Sequence, residues 1–351
     1  MRAMKAYVLH GIGDLRLEDV ERPVPGRNEA LIAVKAAGIC GSDIPRIYRT
    51  GAHRHPLVPG HEFSGVVVET GREGHAWLGK RVGVFPLLPC RACPPCRSGT
   101  YEMCRSYGYL GSRQDGGFAE YVTAPVKNLI ELPESVSFEE AAMLEPMAVA
   151  VHAMRRASAS PEDVAAVCGL GTIGLLLGMF LKEVGISRLL LIGNKALQRR
   201  LALSLGIPEE DFCDIRTEDA ASWCMERTGG RGVDCFFECV GRDEAVALGM
   251  KVAAPSGRVM LVGNPYSDMQ IPKPDYWNIL RNQLTVLGTW NSSFLGAPGD
   301  DWHYALDRLA RGRIAPGQMI SHRLSFEDLE HGLGVMRDKT EEYCKVMMVT
   351  E

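Results

Sequence analysis

The sequence predicts an α/β protein in two parts, a β-rich first part followed by a parallel sheet wrapped in helices. Three observations carry this. Apolar residues alternate along short segments between residues 5 and 124. A strand-like run then enters Gly169-x-Gly171-x-x-Gly174 and continues as a helix. From there, fully apolar strand segments alternate with helical patterns, as in a sheet covered on both faces.

At 351 residues the chain is long enough for two domains with real cores. Apolar residues make up 46% and charged residues 23%, and the net charge is −4. That balance gives no electrostatic reason to expect nucleic acid or an anionic membrane as a partner. Val164 to Leu181 is almost uninterrupted apolar sequence, but glycines at 169, 171, 174 and 178 mark a strand–turn–helix rather than a membrane span. No basic–apolar–small-residue leader opens the chain, and the eleven cysteines are then expected as ligands or core residues in a reducing cytoplasm.

In the first part, AYVL, LRLEDV and EALIAVKAAGI read as strands broken by the turn signal RPVPGRNE. FSGVVVE (63–69), KRVGVF (80–85) and FAEYVTA (118–124) continue the pattern. Between them lies CGSDIPRIYRTGAHRHPLVPGHE, which offers Cys40, His61 and Glu62. Thiolate, imidazole and carboxylate are zinc donors, and a catalytic zinc takes three of them while leaving a position open. Taken alone, this pattern more often marks a core thiol and a capped histidine. Residues 90–104 form C-x2-C-x2-C-x7-C through Cys90, Cys93, Cys96 and Cys104, a spacing that closes a tetrahedral zinc site. The iron–sulfur alternative calls for a last gap of three followed by proline, whereas here the gap is seven and Arg105 follows.

From Ser137 to Arg156 the pattern turns helical, with Pro146 suited to a first turn and Glu145 just ahead of it. An isolated glutamate there also serves a helix dipole. In the glycine motif the first glycine permits a tight turn, the second lets a pyrophosphate approach, and the third lets the helix pack. Thr172 and Ile173 fall on the first helical turn, where backbone N–H groups face the phosphates. The next strand, RLLLIG, ends at Gly193-Asn194-Lys195, with no Asp or Glu between Glu183 and Glu209. The carboxylate that would bind adenosine ribose hydroxyls is missing, and Lys195, Arg199 and Arg200 stand nearby. This favours NADP over NAD, although the same charges suit a solvated helix face. VDCFFECVG, GRVMLVG and LTVLGTW read as further strands. DDWHYALDRLARG and SFEDLEHGLGVMRDK read as helices, the second opened by Ser325, and YCKVMMV reads as a last strand.

CGSD, GHExxG, the four-cysteine lobe, DGGFAEY, an EP before a helix and the mid-chain GxGxxG occur in this order across essentially the whole chain. Together they resemble the zinc-containing medium-chain alcohol dehydrogenase family, the EP being similar to the polyol (sorbitol-type) branch. The resemblance implies a GroES-like β-rich catalytic domain at 1–150, to which 291–351 return. A Rossmann doubly wound parallel sheet would span 151–290, with the active site in the cleft between the two. It implies two zinc ions per chain, one structural on the four-cysteine lobe. The catalytic one would be held by Cys40, His61 and Glu62, with Glu145 bound directly or through water. Ser42 would be the first proton-relay hydroxyl, and Asp43 would orient the loop. Pro45 stands where many members place a histidine. Lys345 matches a position that contacts cofactor phosphate. Arg46, Arg49, Arg54 and Arg113 would flank the cleft, with Arg46 and Arg113 the choices for a substrate phosphate. The implied reaction moves hydride from a secondary alcohol to NAD(P)⁺, giving a ketone. The alcohol would be a polyol or a sugar-alcohol phosphate such as galactitol 1-phosphate. Sorbitol/xylitol-type and threonine-type substrates are the alternatives, as is a non-catalytic nucleotide-binding protein on the same fold. A homodimer or homotetramer joined at the LTVLGTW edge is also implied.

Overall fold

The computed structural model describes residues 3–350. The chain forms two compact units, Met1–Glu145 with Ser293–Glu351, and Pro146–Ser292.

In the first unit, the alternating segments become strands because one face of each meets a common core. Ala3–Gly11 and Asp14–Glu21 pair as an antiparallel hairpin. A seven-stranded sheet has the order Ile320–Leu324, Lys345–Val349, Glu29–Ile39, Glu62–Thr70, Arg81–Val84 and Leu129–Glu131, with Tyr121–Pro125 also pairing with Glu29–Ile39. Tyr7, Ile32, Phe63, Val67, Phe118 and Val346 are buried in one cluster between these elements. The register places Gly38 opposite Glu62 and Ile39 opposite Val346, so the last strand of the chain lies beside the start of the GHE strand. Gly38 leaves room here for the Glu62–Lys345 pair. A Cβ would run into the Glu62 carboxylate and come within 2.7 Å of Lys345 Cε.

Helix starts depart from expectation at two places. The helix Leu144–Arg156 begins ahead of Glu145, which therefore sits in its first turn. The helix Leu329–Asp338 is entered from Asp328 rather than Ser325, whose hydroxyl donates to the Asp328 carboxylate at 2.7 Å and braces the preceding turn. At Ser137 the expected helix does open directly, as a capping box with Glu140 ahead of Phe138–Ala142.

The second unit is a six-stranded parallel sheet in the order Phe212–Asp214, Arg188–Gly193, Val164–Cys168, Val233–Glu238, Ala253–Leu261 and Thr285–Gly288. Order reverses beside Val164–Cys168, the place where such sheets bind a dinucleotide. Ala166, Leu190, Phe236 and Val259 lie in its core, as the apolar runs require. Thr285–Gly288 is an edge strand with mostly exposed side chains. Among the described residues, no helix is long and apolar enough to cross a membrane.

Candidate metal centres and active site

Cys40 follows the strand Glu29–Ile39, Glu62 opens the antiparallel neighbour and His61 immediately precedes it, so this strand pairing brings the three together. Their donor atoms all lie within 4.8 Å of one another. His61 and Glu62 are buried. His61 Nδ1 is buried without a hydrogen-bond partner and lies 3.4 Å from Asp43 Oδ1. Asp43, itself fully buried, accepts the Cys40 N–H at 3.0 Å and pairs with Arg46. A carboxylate behind one ring nitrogen fixes the imidazole and leaves the other for a cation. The donor set therefore fits zinc.

The charges agree with that reading. Burial alone would raise the Asp43 carboxyl, but His61, Arg46 and the Cys40 N–H outweigh it and hold the carboxyl below its ordinary value. Burial alone would lower the His61 imidazole, whereas Asp43 and Cys40 push it well above the ordinary range. A cation binding there displaces that proton, so loading is favoured as pH rises. Ser42 Oγ donates to Cys40 Sγ at 3.3 Å.

Glu145 is not one of the three clustered donors. It is buried beside them, and its Oε1 accepts from Tyr109 Oη at 3.0 Å. Burial raises its carboxyl above the ordinary range, and the Glu62 charge adds to this. Of the two expected modes of Glu145, this arrangement fits contact through water.

Lys345 corrects the sequence reading. It is 1% exposed, and its ammonium donates to Ile39 O at 3.2 Å and pairs with Glu62. The strand Lys345–Val349 turns it inward beside a metal donor, so its charge is spent on Glu62 and not offered to a cofactor phosphate or to solvent.

Cys90, Cys93, Cys96 and Cys104 form a second cluster, also within 4.8 Å. The Cys90–Cys96 and Cys93–Cys104 sulfurs are each 3.9 Å apart, far beyond a disulfide. A tetrahedron with metal–sulfur bonds near 2.3 Å has edges of about 3.8 Å. Backbone N–H groups of Cys90 and Cys93 point at the Cys104 and Cys90 sulfurs, 3.3 and 3.4 Å away, as thiolates require.

In the second unit, Gly169 has φ +96°, and a Cβ there would lie 2.6 Å from Val240. A Cβ on Gly174 would strike the Gly169 carbonyl, whereas Gly171 faces open space. The helix Thr172–Val184 starts behind Gly171 with no side-chain cap from that residue, and its N-terminal end is the place where such a turn meets a phosphate. The residues fit a dinucleotide. At the next strand end, the Asn194 and Lys195 N–H groups are taken by Gln198 Oε1. Arg199 pairs with Glu209, so it is not the unopposed cation its sequence position suggested. Parallel pairing sets Asp214 beside Gly193, and Arg216 grips Asp214 through two nitrogens. This acid–base pair from the neighbouring strand has no signal in the glycine motif.

Arg46 lines a cavity of about 370 Å³ with Ser42, Pro45, Thr50 and His53. The Arg113 guanidinium stacks 4.7 Å over the Tyr107 ring, and Arg54 pairs with Asp115 at 2.8 Å. His53 and Tyr109 are site residues that sequence reasoning missed. Tyr109 lies in a two-residue strand, Gly108–Tyr109, whose pattern carries no signal.

Residues 26–134 match the family described as alcohol dehydrogenase GroES-like domain, and residues 172–311 match zinc-binding dehydrogenase. The galactitol 1-phosphate 5-dehydrogenase of Escherichia coli (strain K12) is 33% identical over 327 residues, covering 92% of this chain and 94% of that protein. The chain belongs to the zinc-dependent medium-chain alcohol dehydrogenase family. The solved galactitol-1-phosphate dehydrogenase of Escherichia coli superposes on this dehydrogenase with TM-score 0.91 at 31% identity, over 99% of this chain and all of that one. A zinc-binding dehydrogenase structure from Sinorhizobium meliloti 1021 bound to NADP gives TM-score 0.90 at 30% identity, over 99% of this chain and 100% of that one. The dehydrogenase thus joins a GroES-like domain to a Rossmann-like sheet, and it is a zinc- and NAD(P)-dependent oxidoreductase that converts alcohols to ketones.

Proposed function

We propose that the substrate is a polyol carrying a phosphate, of the galactitol 1-phosphate type, oxidised at a secondary hydroxyl. The observation that carries the chemistry is the buried Cys40–His61–Glu62 donor cluster with Asp43 behind its imidazole. In this reading those three residues hold the catalytic zinc, Glu145 meets it through water, and Cys90, Cys93, Cys96 and Cys104 hold the structural one. A bound zinc supplies the acidity that makes an alkoxide available near neutral pH, and bound oxidised nicotinamide accepts hydride. Ser42 then takes the hydroxyl proton, Asp43 fixes His61, and the Tyr109 hydroxyl orients Glu145.

The phosphate reading rests on Arg113, whose guanidinium stacks on Tyr107, and on Arg46, which lines the cavity beside Ser42. It also rests on the Escherichia coli relatives. NADP is favoured over NAD by the missing ribose carboxylate, with Lys195 and Arg200 beside the strand end, while Arg199 and Arg216 are already paired with Glu209 and Asp214. Pairing of the exposed Thr285–Gly288 edge would give a homodimer or homotetramer, and the setting is cytoplasmic.

Initial rates of nicotinamide reduction by zinc-replete protein test this, comparing galactitol 1-phosphate with galactitol under NADP⁺ and NAD⁺. Strong preference for the phosphorylated hexitol is expected. Preference for the unphosphorylated polyol would replace it with a sorbitol-type activity, and failure with both would move the substrate to another alcohol.

A further inference from the structure

The hydroxyl proton must travel beyond Ser42 to reach solvent, and Pro45 has no group to carry it. Ser42 opens on the same cavity as His53. Of the side chains lining it, Thr50 already donates its hydroxyl to Pro45 O at 3.1 Å, and Arg46 is permanently protonated and tied to Asp43. His53 is the one lining side chain that exchanges a proton near neutral pH. It is exposed and makes no hydrogen bond with another described residue. Its surroundings favour the neutral, proton-accepting form. Partial burial, then the Arg113 and Arg46 guanidiniums, hold the imidazole below its ordinary value, so it is neutral at pH 7. The nearby Arg54 is occupied by Asp115, and the His55 ring lies between Leu9 O and the Ala52 N–H.

We propose that His53 is the terminal proton acceptor of alcohol oxidation, reached from Ser42 through water in the cavity they share. The alcohol hydroxyl gives its proton to Ser42 Oγ, and Ser42 passes its own proton through water to a His53 ring nitrogen. His53 then releases it to bulk solvent. The carbon-bound hydrogen leaves with its electron pair as hydride to the oxidised nicotinamide, which closes the balance as ketone, reduced cofactor and one proton. In ketone reduction the same path runs inward.

The inference rests on Ser42 receiving the alcohol proton, as proposed above. Its test does not require the natural substrate. Zinc-loaded protein is mixed in stopped flow with oxidised cofactor and trifluoroethanol, an alcohol that binds without being oxidised, and proton release is read with a pH indicator. His53→Gln and His53→Asn are each expected to slow release by about tenfold or more near pH 7. With an oxidisable alcohol, kcat falls in step while KM holds, and the deficit closes as rising pH lets hydroxide replace the imidazole. Release and kcat within about twofold of the parent in both variants would overturn the proposal. So would a loss confined to KM for a phosphorylated substrate, which would make His53 a phosphate contact. A kcat loss equal at every pH together with a lowered melting temperature would make it structural. A wrong substrate assignment shows itself separately, as absent turnover with proton release intact.

Discussion

Lys345→Met tests how the first metal centre is held together. The ammonium is buried against Glu62 and Ile39 O, and methionine keeps most of its stem while deleting the charge. Two acceptors lose their donor, and one of them is a buried carboxylate. Breaking a buried pair from one side costs about 3–5 kcal/mol, most of it the uncompensated charge left behind. A zinc ion on Glu62 would supply a counter-charge, leaving mainly the Ile39 carbonyl unpaired at about 1–2 kcal/mol. Urea unfolding of parent and variant, each with excess zinc and after chelation, reads the four stabilities. The expected coupling of about 2–3 kcal/mol means roughly thirty- to 150-fold tighter zinc binding in the variant. Lys345→Met with Glu62→Leu should return the chelated protein close to parent stability. Equal losses with and without zinc, or a loss under about 1 kcal/mol after chelation, would refute the account.

Asp43→Asn should weaken zinc at the first centre about 10–100-fold, read by competition with a chromogenic chelator. Because the Asp43 carboxyl is held below its ordinary value when folded, its stabilisation is full above about pH 4 and is lost as pH falls through the folded value. The stability gap between parent and Asp43→Asn should therefore close in acid. Cys96→Ser should reduce metal content from two zinc ions per chain to one, measured by elemental analysis. Gly174→Ala should weaken NAD(P)H binding about tenfold by fluorescence titration while zinc content stays at two, since its Cβ meets the Gly169 carbonyl.

The short-range patterns were readable because their chemistry is local in sequence. Four cysteines within fifteen residues and glycines at fixed offsets each specify one turn of chain, and the structure gathers the four sulfurs and opens a helix behind Gly171. Cys40 and the His61–Glu62 pair needed more, because a strand pairing completes that site. Lys345 shows where reading stops. It is 283 positions from Glu62, and only the register of Lys345–Val349 on Glu29–Ile39 turns it toward that carboxylate. Arg199 stood out as a cation, but a residue ten positions on neutralises it, and whether two surface charges meet depends on how the intervening turn runs. Tyr109 and His53 belong to a two-residue strand and a loop, where neither periodicity nor capping chemistry marks a side chain.

The return of Ser293–Glu351 to the first unit dictates the order in which a newborn chain can be finished. Cys40, His61 and Glu62 leave the ribosome early, yet the strand that neutralises Glu62 is translated after all of Pro146–Ser292. Until then the Glu29–Ile39 strand has an open edge and Glu62 lacks its buried cation. The nascent chain thus completes its nucleotide-binding sheet while its metal-bearing one still waits for a partner strand.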